Sequence, residues 1–448
     1  MDSETSPSIA ARIAADATPV SAWSIATTIG AMVGSGELRH GDRLPTVRSL
    51  ASELGVSSST VADGWKVLSR HGLIETARRN GTVIRAARSE MTGRFWRVPA
   101  TAGSSILDLS TGTPDTDLLP TMSAVLSGLR ADIAITSYVD RPVLAPLEEL
   151  LRARWPFEPD AMTVLDGCLD ALDRLVSVVV GFGDTVLVED PTFPPILDML
   201  EQLGARVIGV ELDDEGPSVP ALRLALAEQP VLAVFQPAAH NPTGRSMSAE
   251  RVGEVAAAFA ELAPETFIVE DHHAGDLVRH APTLGAHLPA KVVRVHSFSK
   301  SHGPDLRIAA VGGAREPIEA VVDRRRLGPS WTSRLIQTIL LTLLQDAHVD
   351  QLVDDAAIEY ARRRRAISDG LARAGIEMHD GSALNLWIPV PNEQRAVLAL
   401  ALDGIGVAPG APFWVDQGRS GDHLRISVGN ARDDLDRIVA AITTAASS

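Results

Sequence analysis

From about residue 106 onward, helical stretches alternate with short β-rich runs, and that alternation is the tightest constraint on the fold. The runs fall at 185–188, 206–210, 231–235, 266–269, 292–296 and 308–311. Strands separated by helices cannot close as tight hairpins. Each needs a crossover, which predicts an α/β domain with a largely parallel sheet. Near residue 333 the pattern changes. A long helical stretch over 333–374 precedes short strands at 385–390 and 423–428, which predicts a separate small α+β lobe. There is no internal repeat.

The first hundred residues follow another rhythm. Trp23, Ile25, Ile29, Met32 and Val33 recur at helical spacing over 21–34, and Gly-Asp-Arg-Leu-Pro at 41–45 ends that period. Thr46 then caps a short helix through Leu54, and Gly55 turns the chain. Ser57 starts a further helix to about His71, where Gly72 stops it. Runs at 73–76 and 82–84 read as two strands around Gly81. The order is helix, helix, turn, helix, hairpin. A chain of 448 residues is too long for one ordinary core. The expected division is 1–19 as a tail or extra short helix, 20–87 as a small helical and hairpin domain, 88–105 as a linker interrupted by Phe95 and Trp96, and 106–448 as the large domain.

Charge separates these parts. The whole chain carries −16, but residues 20–88 hold nine Lys and Arg against five Asp and Glu, a surplus of four that leaves the remainder at −20. Such a module on an acidic body can approach a polyanion in one orientation. Ser57, Ser58, Ser59 and Thr60 open the third helix with four hydroxyls. Arg43 and Arg48 flank the preceding turn, and Arg78, Arg79 and Asn80 sit at the hairpin tip. Donors at a helix N-terminus and at a wing suit the grooves of duplex DNA, although a small structural domain with a solvated basic rim has the same outline.

Lysine is scarce: of 41 Lys and Arg, only Lys66, Lys291 and Lys300 are lysine. Arginine is permanently protonated, so covalent amine chemistry has few addresses here. Lys300 lies in Ser297-Phe298-Ser299-Lys300, after a strand, with Arg307 close behind. Carboxyl ends of strands are where open α/β sheets bind ligands. Ser297, Ser299 and Arg307 suit a phosphate. Asp271 follows an apolar run, where a carboxylate can hold a protonated ring nitrogen or merely cap a helix. Asn241, in His-Asn-Pro-Thr-Gly at 240–244, can donate to a ring oxygen. Gly167 and Cys168 precede a helix whose N–H groups can meet phosphate, and Phe193 can stack on a flat ring. No metal ligand set is assigned. One cysteine permits no internal disulfide and fits a reducing compartment. With no apolar run of membrane-spanning length and no signal-like start, the expectation is a cytoplasmic protein without membrane contact.

Two resemblances gather these residues. The motif Gly-Glu-Leu-x-x-Gly-Asp-Arg-Leu-Pro-Thr-Val-Arg-x-Leu-Ala at 36–51, Leu-Gly-Val-Ser-x-x-Thr-Val at 54–61, Gly-Leu-Ile-Glu at 72–75 and Asn-Gly-Thr at 80–82 resembles the GntR family of winged helix-turn-helix regulators. It implies a DNA surface formed by Arg43, Arg48, Ser57, Ser59, Thr60 and Gly81. Ala62 and Asp63 stand where that family often has a basic residue. From about 106 to 445 the stretches resemble fold-type I aminotransferases, most specifically in Ser-Phe-Ser-Lys-x-x-x-Pro-x-Leu-Arg. That implies pyridoxal 5'-phosphate attached to Lys300, phosphate contacts from Ser297, Ser299 and Arg307 with Gly167 and Cys168, and a ring-nitrogen partner in Asp271. It implies Asn241 on the ring hydroxyl, Phe193 stacked, Arg425 on a substrate α-carboxylate, and Tyr138 reaching a neighbouring subunit of a homodimer.

The fusion resembles MocR-type regulators. It implies double-stranded operator DNA and a small amine or amino-acid effector as partners. The alternative is a working aminotransferase with an accessory DNA-binding module. Departures bear on that choice: His273 replaces a usual tyrosine, with a charge expected to vary near neutral pH; Leu169 replaces a usual glutamine; and Tyr138 to Val143 lacks two glycines. They favour cofactor retention over efficient transamination.

Overall fold

The computed structural model describes residues 9–16, 19–34, 37–38, 41–70, 74–77, 81–84, 107–128, 137, 140–379, 381–416 and 422–446. The chain divides into two compact units; the smaller carries the N-terminal helices and hairpin, with the short stretches 180–185 and 198–206 grouped with it.

The N-terminal elements are α1 (Ile9–Asp16), α2 (Ala22–Gly34), α3 (Val47–Leu54), α4 (Ser58–Arg70), β1 (Ile74–Ala77) and β2 (Gly81–Ile84). The first segment is thus a short helix where it is described, not merely a tail. Thr46 caps α3 by accepting from the Ser49 N–H at 3.2 Å, and Gly55 ends it at φ 68°. β1 and β2 pair antiparallel, with Ile74 opposite Ile84. Ile25, Ile29, Leu50, Val61 and Leu68 are fully buried, each contributing about 1.5–3 kcal/mol of apolar burial. These helices therefore hold together by one shared apolar stripe rather than by intrinsic propensity.

The large domain begins with β3 (Leu107–Asp108), α5 (Met122–Gly128), α6 (Ala145–Arg154), β4 (Ala161–Leu165) and α7 (Cys168–Val179). It continues through β5 (Thr185–Asp190), α8 (Pro194–Leu203), β6 (Arg206–Asp213), β7 (Gly216–Pro217), α9 (Val219–Leu226), β8 (Leu232–Phe235), α10 (Ala249–Leu262), β9 (Phe267–His272), β10 (Val292–Ser297) and β11 (Ala309–Gly313). Then come α11 (Arg315–Arg326), α12 (Arg334–Gln345), α13 (Ala347–Arg373), β12 (Asn385–Pro389), α14 (Glu393–Leu402), β13 (Ile405–Gly406), β14 (Ala408–Pro409), β15 (His423–Ser427) and α15 (Leu435–Ala446).

The main sheet has eight strands in the order β4-β11-β10-β9-β8-β5-β6-β7. Its centre is parallel: β5 with β8, β8 with β9, β9 with β10. β11 runs antiparallel to both β10 and β4, so the sheet is mixed rather than uniformly parallel. Leu187, Phe235, Ile268 and Val292 pack one buried cluster with Phe259 of α10. The small lobe has the antiparallel sheet β12-β15-β14, and it also takes in Leu107, which pairs with Ile405. The helical stretch 333–374 is two helices, because Asp346 caps α13 by accepting from the His348 N–H at 2.8 Å. Among the described residues no helix is long and apolar enough to cross a membrane, and no group of His, Cys, Asp and Glu suits a metal ion.

Candidate functional site

The carboxyl ends of three neighbouring parallel strands deliver Gln236 beyond β8, Asp271 and His273 at the end of β9, and Lys300 beyond β10. Lys300 Nζ is 2.6 Å from His273 Nδ1, and His273 Nε2 is 2.8 Å from the Ala239 carbonyl. A carbonyl only accepts, so Nε2 carries the proton and Nδ1 accepts from the amine. Burial, reinforced by the Lys300 charge, holds His273 well below the usual histidine range. Against the expectation of a charge that varies near neutral pH, this environment favours the neutral, accepting form of the ring. Burial also lowers Lys300 to about 8, with Asp271 opposing and Arg425 adding to the shift. A substantial fraction of the amine is then neutral and nucleophilic close to physiological pH.

Asp271 lies inside β9, so it has no helix to cap. It is buried, and both oxygens are engaged: Oδ2 accepts from Gln236 Nε2 at 2.6 Å and Oδ1 from the Cys168 thiol at 2.9 Å. Burial raises its pKa, and these two donors with Lys300 pull it back. The Gln236 amide oxygen also accepts from the Asn241 N–H at 2.7 Å, so one side chain orients both Asp271 and Asn241. Sequence reasoning missed Gln236. Its signal is a polar residue closing the apolar run Val231 to Phe235 at a strand's carboxyl end. Asn241 Oδ1 is buried with no protein partner.

The residues expected on the phosphate lie around the start of α7 and beyond β10. Gly167 has φ +104°, and a Cβ there would lie 2.6 Å from Arg307 Nη2, so the guanidinium rests directly over the glycine. Arg307 reaches that position in a left-handed conformation, φ 44°. Asp166, just before it, is held by Arg325 at 2.8 Å and Thr332 at 2.6 Å, which fixes the helix entrance. Ser297 is buried and its Oγ accepts from the Ser299 N–H at 3.3 Å. A helix N-terminus with a guanidinium laid over its first glycine is an arrangement that suits an anion. Phe193 is half-buried between β5 and α8, and Leu169 is exposed in the first turn of α7. Tyr138 lies outside the described residues.

Arg425 stands on β15, 1% exposed, with Nε and Nη1 lacking partners. Its guanidinium lies 5.5 Å from the Phe413 ring, and burial lowers it to about 10 against the pull of Asp108. A buried guanidinium left unpaired is costly, and a carboxylate is the group that satisfies it bidentately.

In the N-terminal domain the candidate contacts are arranged differently. Ser57 precedes α4; its Oγ lies 2.7 Å from Ser59 Oγ and 2.8 Å from Thr60 Oγ1, and it accepts from the Thr60 N–H at 3.1 Å. Arg43 and Arg48 are exposed, and Arg43 bridges to Val83 of β2. Gly81 opens β2 at φ +77° with open space around it. Lys66 is engaged by Asp63 at 2.8 Å. Arg78, Arg79 and Asn80 lie outside the described residues.

Comparison with known proteins gives two family matches: "Bacterial regulatory proteins, gntR family" over residues 22–84 and "Aminotransferase class I and II" over 104–442. The chain is similar to the vitamin B6 salvage pathway transcriptional repressor PtsJ of Salmonella typhimurium, 32% identical over 416 residues, spanning 91% of this chain and 94% of that one. It is also similar to the HTH-type transcriptional regulator TauR of Rhodobacter capsulatus, 28% identical and spanning 85% and 87% of the two chains. Among solved structures, the α-aminoadipate aminotransferase LysN of Thermus thermophilus, complexed with N-(5'-phosphopyridoxyl)-L-leucine, matches with a TM-score of 0.69 at 21% identity, covering 80% of this chain and 94% of that one. That last likeness bears on the fold alone. The chain belongs to the MocR-type regulators, in which a GntR-family DNA-binding domain is fused to a class I and II aminotransferase domain.

Proposed function

We propose that this regulator holds pyridoxal 5'-phosphate on Lys300, recognises an amine or amino acid there, and changes its grip on operator DNA when that site is occupied. The aminotransferase class I and II fold implies dependence on this cofactor. The residues fit it. A buried acid on β9, a neutralisable amine beyond β10, and a guanidinium over the glycine that opens α7 come from three separate stretches of chain. When bound, the cofactor supplies an electrophilic carbonyl and an electron-withdrawing ring. Lys300 supplies the attaching nitrogen, and His273 accepts its proton-bearing side at Nδ1. Asp271 faces the ring nitrogen, Asn241 the ring oxygen, and Phe193 stacks. Arg307, Ser297, Ser299 and the Gly167–Cys168 N-terminus hold the phosphate, with Tyr138 completing it from the second subunit of a homodimer. Arg425 takes the effector's carboxylate.

On the DNA side, Arg43, Arg48, Ser57, Ser59, Thr60 and the wing at Gly81 meet the duplex, in the cytoplasm. The placement of Lys300, 2.6 Å from the acceptor Nδ1 of His273, supports attachment most directly. The similarity to PtsJ, a vitamin B6 salvage pathway transcriptional repressor, supports the cofactor itself as a signal. Purified protein is expected to be yellow, with borohydride fixing the cofactor on Lys300. Its upstream DNA should shift differently with and without cofactor. Attachment elsewhere, or no DNA binding at low salt, would overturn the proposal. The intact set of Lys300, Asp271 and Arg425 keeps a second reading in play, a working aminotransferase, which steady turnover of an amino acid with a keto acid would establish.

A further inference from the structure

The strands that carry the cofactor residues have a second face. Side chains alternate along a strand, so Asp271 and Ser297 stand on one side of β9 and β10, and Glu270, His272, Arg294 and His296 on the other. Their register pairs Arg294 with Glu270 and His296 with His272. Parallel strands covered on both faces are ordinarily apolar on both. Here the second face is apolar only at the Ile268–Val292 pair and ionisable beyond it: Arg294 and Glu270 form a buried pair at 3.3 Å, the two histidine rings lie 5.1 Å apart, and His296 Nε2 is 3.2 Å from Asp276. No step assigned to Lys300 uses any of them.

This face borders a cavity of about 560 Å³, within the range that encloses a small organic ligand. Trp155, Phe298, Leu151 and Val252 give it an apolar wall. Its ionisable lining is three arginines, three histidines and Asp276; Arg294 is paired with Glu270, Arg154 with Asp350, and Arg279 with Asp350 and Asp354, so what the arginines offer an occupant is N–H donors rather than unbalanced charge. Two buried donors on the lining have no partner: Arg294 Nε, on a side chain 3% exposed, and Trp155 Nε1. Unpaired buried donors are retained at a cost, and both of these ask for an acceptor.

We infer that this cavity binds a small organic anion with a flat apolar body, its carboxylate accepted by Arg294 and Trp155 and its ring laid against Trp155 and Phe298. It is separate from the carboxylate seat at Arg425 and stands independently of cofactor attachment. An occupant bears on the same two strands that place Asp271, His273 and Lys300, since His272 lies between the first two and His296 lies four residues before the third.

The test is calorimetric titration of the full-length protein with benzoate, its neutral isostere benzamide, and benzylamine. Benzoate is expected to bind saturably, benzamide at least about tenfold more weakly, equivalent to ~1.4 kcal/mol, and benzylamine not at all. Trp155→Phe keeps the ring, removes the N–H and should weaken benzoate several-fold. Ala249→Trp, at the exposed mouth, should block it with the melting temperature preserved. Arg425→Gln should leave benzoate affinity unchanged, which separates this site from the other carboxylate seat. The inference is overturned if benzoate does not saturate, if benzamide matches it, if Ala249→Trp has no effect, or if Arg425→Gln removes binding.

Discussion

The two regions that carry the functional residues surround them in opposite ways. Arg43, Arg48, Ser57 and Ser59 of the N-terminal domain are exposed, whereas Asp271, Asn241, Ser297 and Arg425 of the large domain are buried, two of them with polar atoms that no protein group meets. Exposed donors cost the folded chain almost nothing while idle, and they gain from a polyanion in small, salt-screened increments. Buried unpaired polar atoms, the Asn241 amide oxygen and the Arg425 N–H groups, are a standing cost that an enclosed ligand relieves. The first arrangement suits a long, uniformly charged partner met by many weak contacts, and the second a small molecule held by a few strong ones.

Substitutions should therefore have graded effects on one side of the molecule and sharp ones on the other. The sharpest concerns Lys300: Lys300→Ala is expected to abolish borohydride-resistant attachment of the cofactor completely, read by the mass of the tryptic peptide. Next, Arg425→Gln should cost about 3 kcal/mol in affinity for an amino-acid ligand, on the order of a hundredfold, while the yellow colour is retained. An unchanged affinity would place the carboxylate elsewhere. Third, the lowered pKa of Lys300, about 8, sets a pH dependence. Below it the amine is an unreactive ammonium and above it a free nucleophile. Reductive labelling of Lys300 by a small aldehyde should thus rise by about tenfold from pH 7 to 9 and then level, as a group of that pKa requires.

On the exposed side the effects shrink. Arg48→Ala should weaken DNA binding several-fold on all sequences alike and flatten the salt dependence by about one ion, measured by fluorescence anisotropy at several salt concentrations. Smallest, Thr46→Ala removes the cap of α3 and should cost about 1 kcal/mol in the unfolding of the N-terminal domain, with the large domain's transition unmoved.

The same contrast governs what could be read from residues alone. The N-terminal elements are punctuated by local chemistry: Thr46 caps, Gly55 and Gly81 accept positive φ, and Ser57 starts the next helix. Such signals act within a few residues, so they are visible in order along the chain. In the large domain the strands at 185–190, 267–272 and 292–297 were legible as apolar runs, and so was the lysine loop that follows. Three features were not. The antiparallel insertion of β11 between β4 and β10, and the pairing of Leu107 with Ile405, depend on partners far apart in sequence. Gln236 is marked in the sequence only as a polar residue closing an apolar run, and its link to Asp271 exists only once β8 and β9 stand side by side. Pairing is a property of tertiary contact, which local propensity does not encode. The neutral state of His273 belongs to the same class, because it follows from burial and from the Ala239 carbonyl rather than from residue type.

If occupancy at Lys300 is felt by the DNA-binding domain, the cofactor must change the affinity for DNA through that lysine. The affinity of the full-length protein for DNA from its own upstream region is measured with and without pyridoxal 5'-phosphate, for the natural chain and for Lys300→Ala. Adding cofactor is expected to change the affinity of the natural chain several-fold and that of the variant not at all, with both binding DNA in its absence. Equal affinities for the natural chain in the two conditions, or an undiminished response in Lys300→Ala, would contradict it.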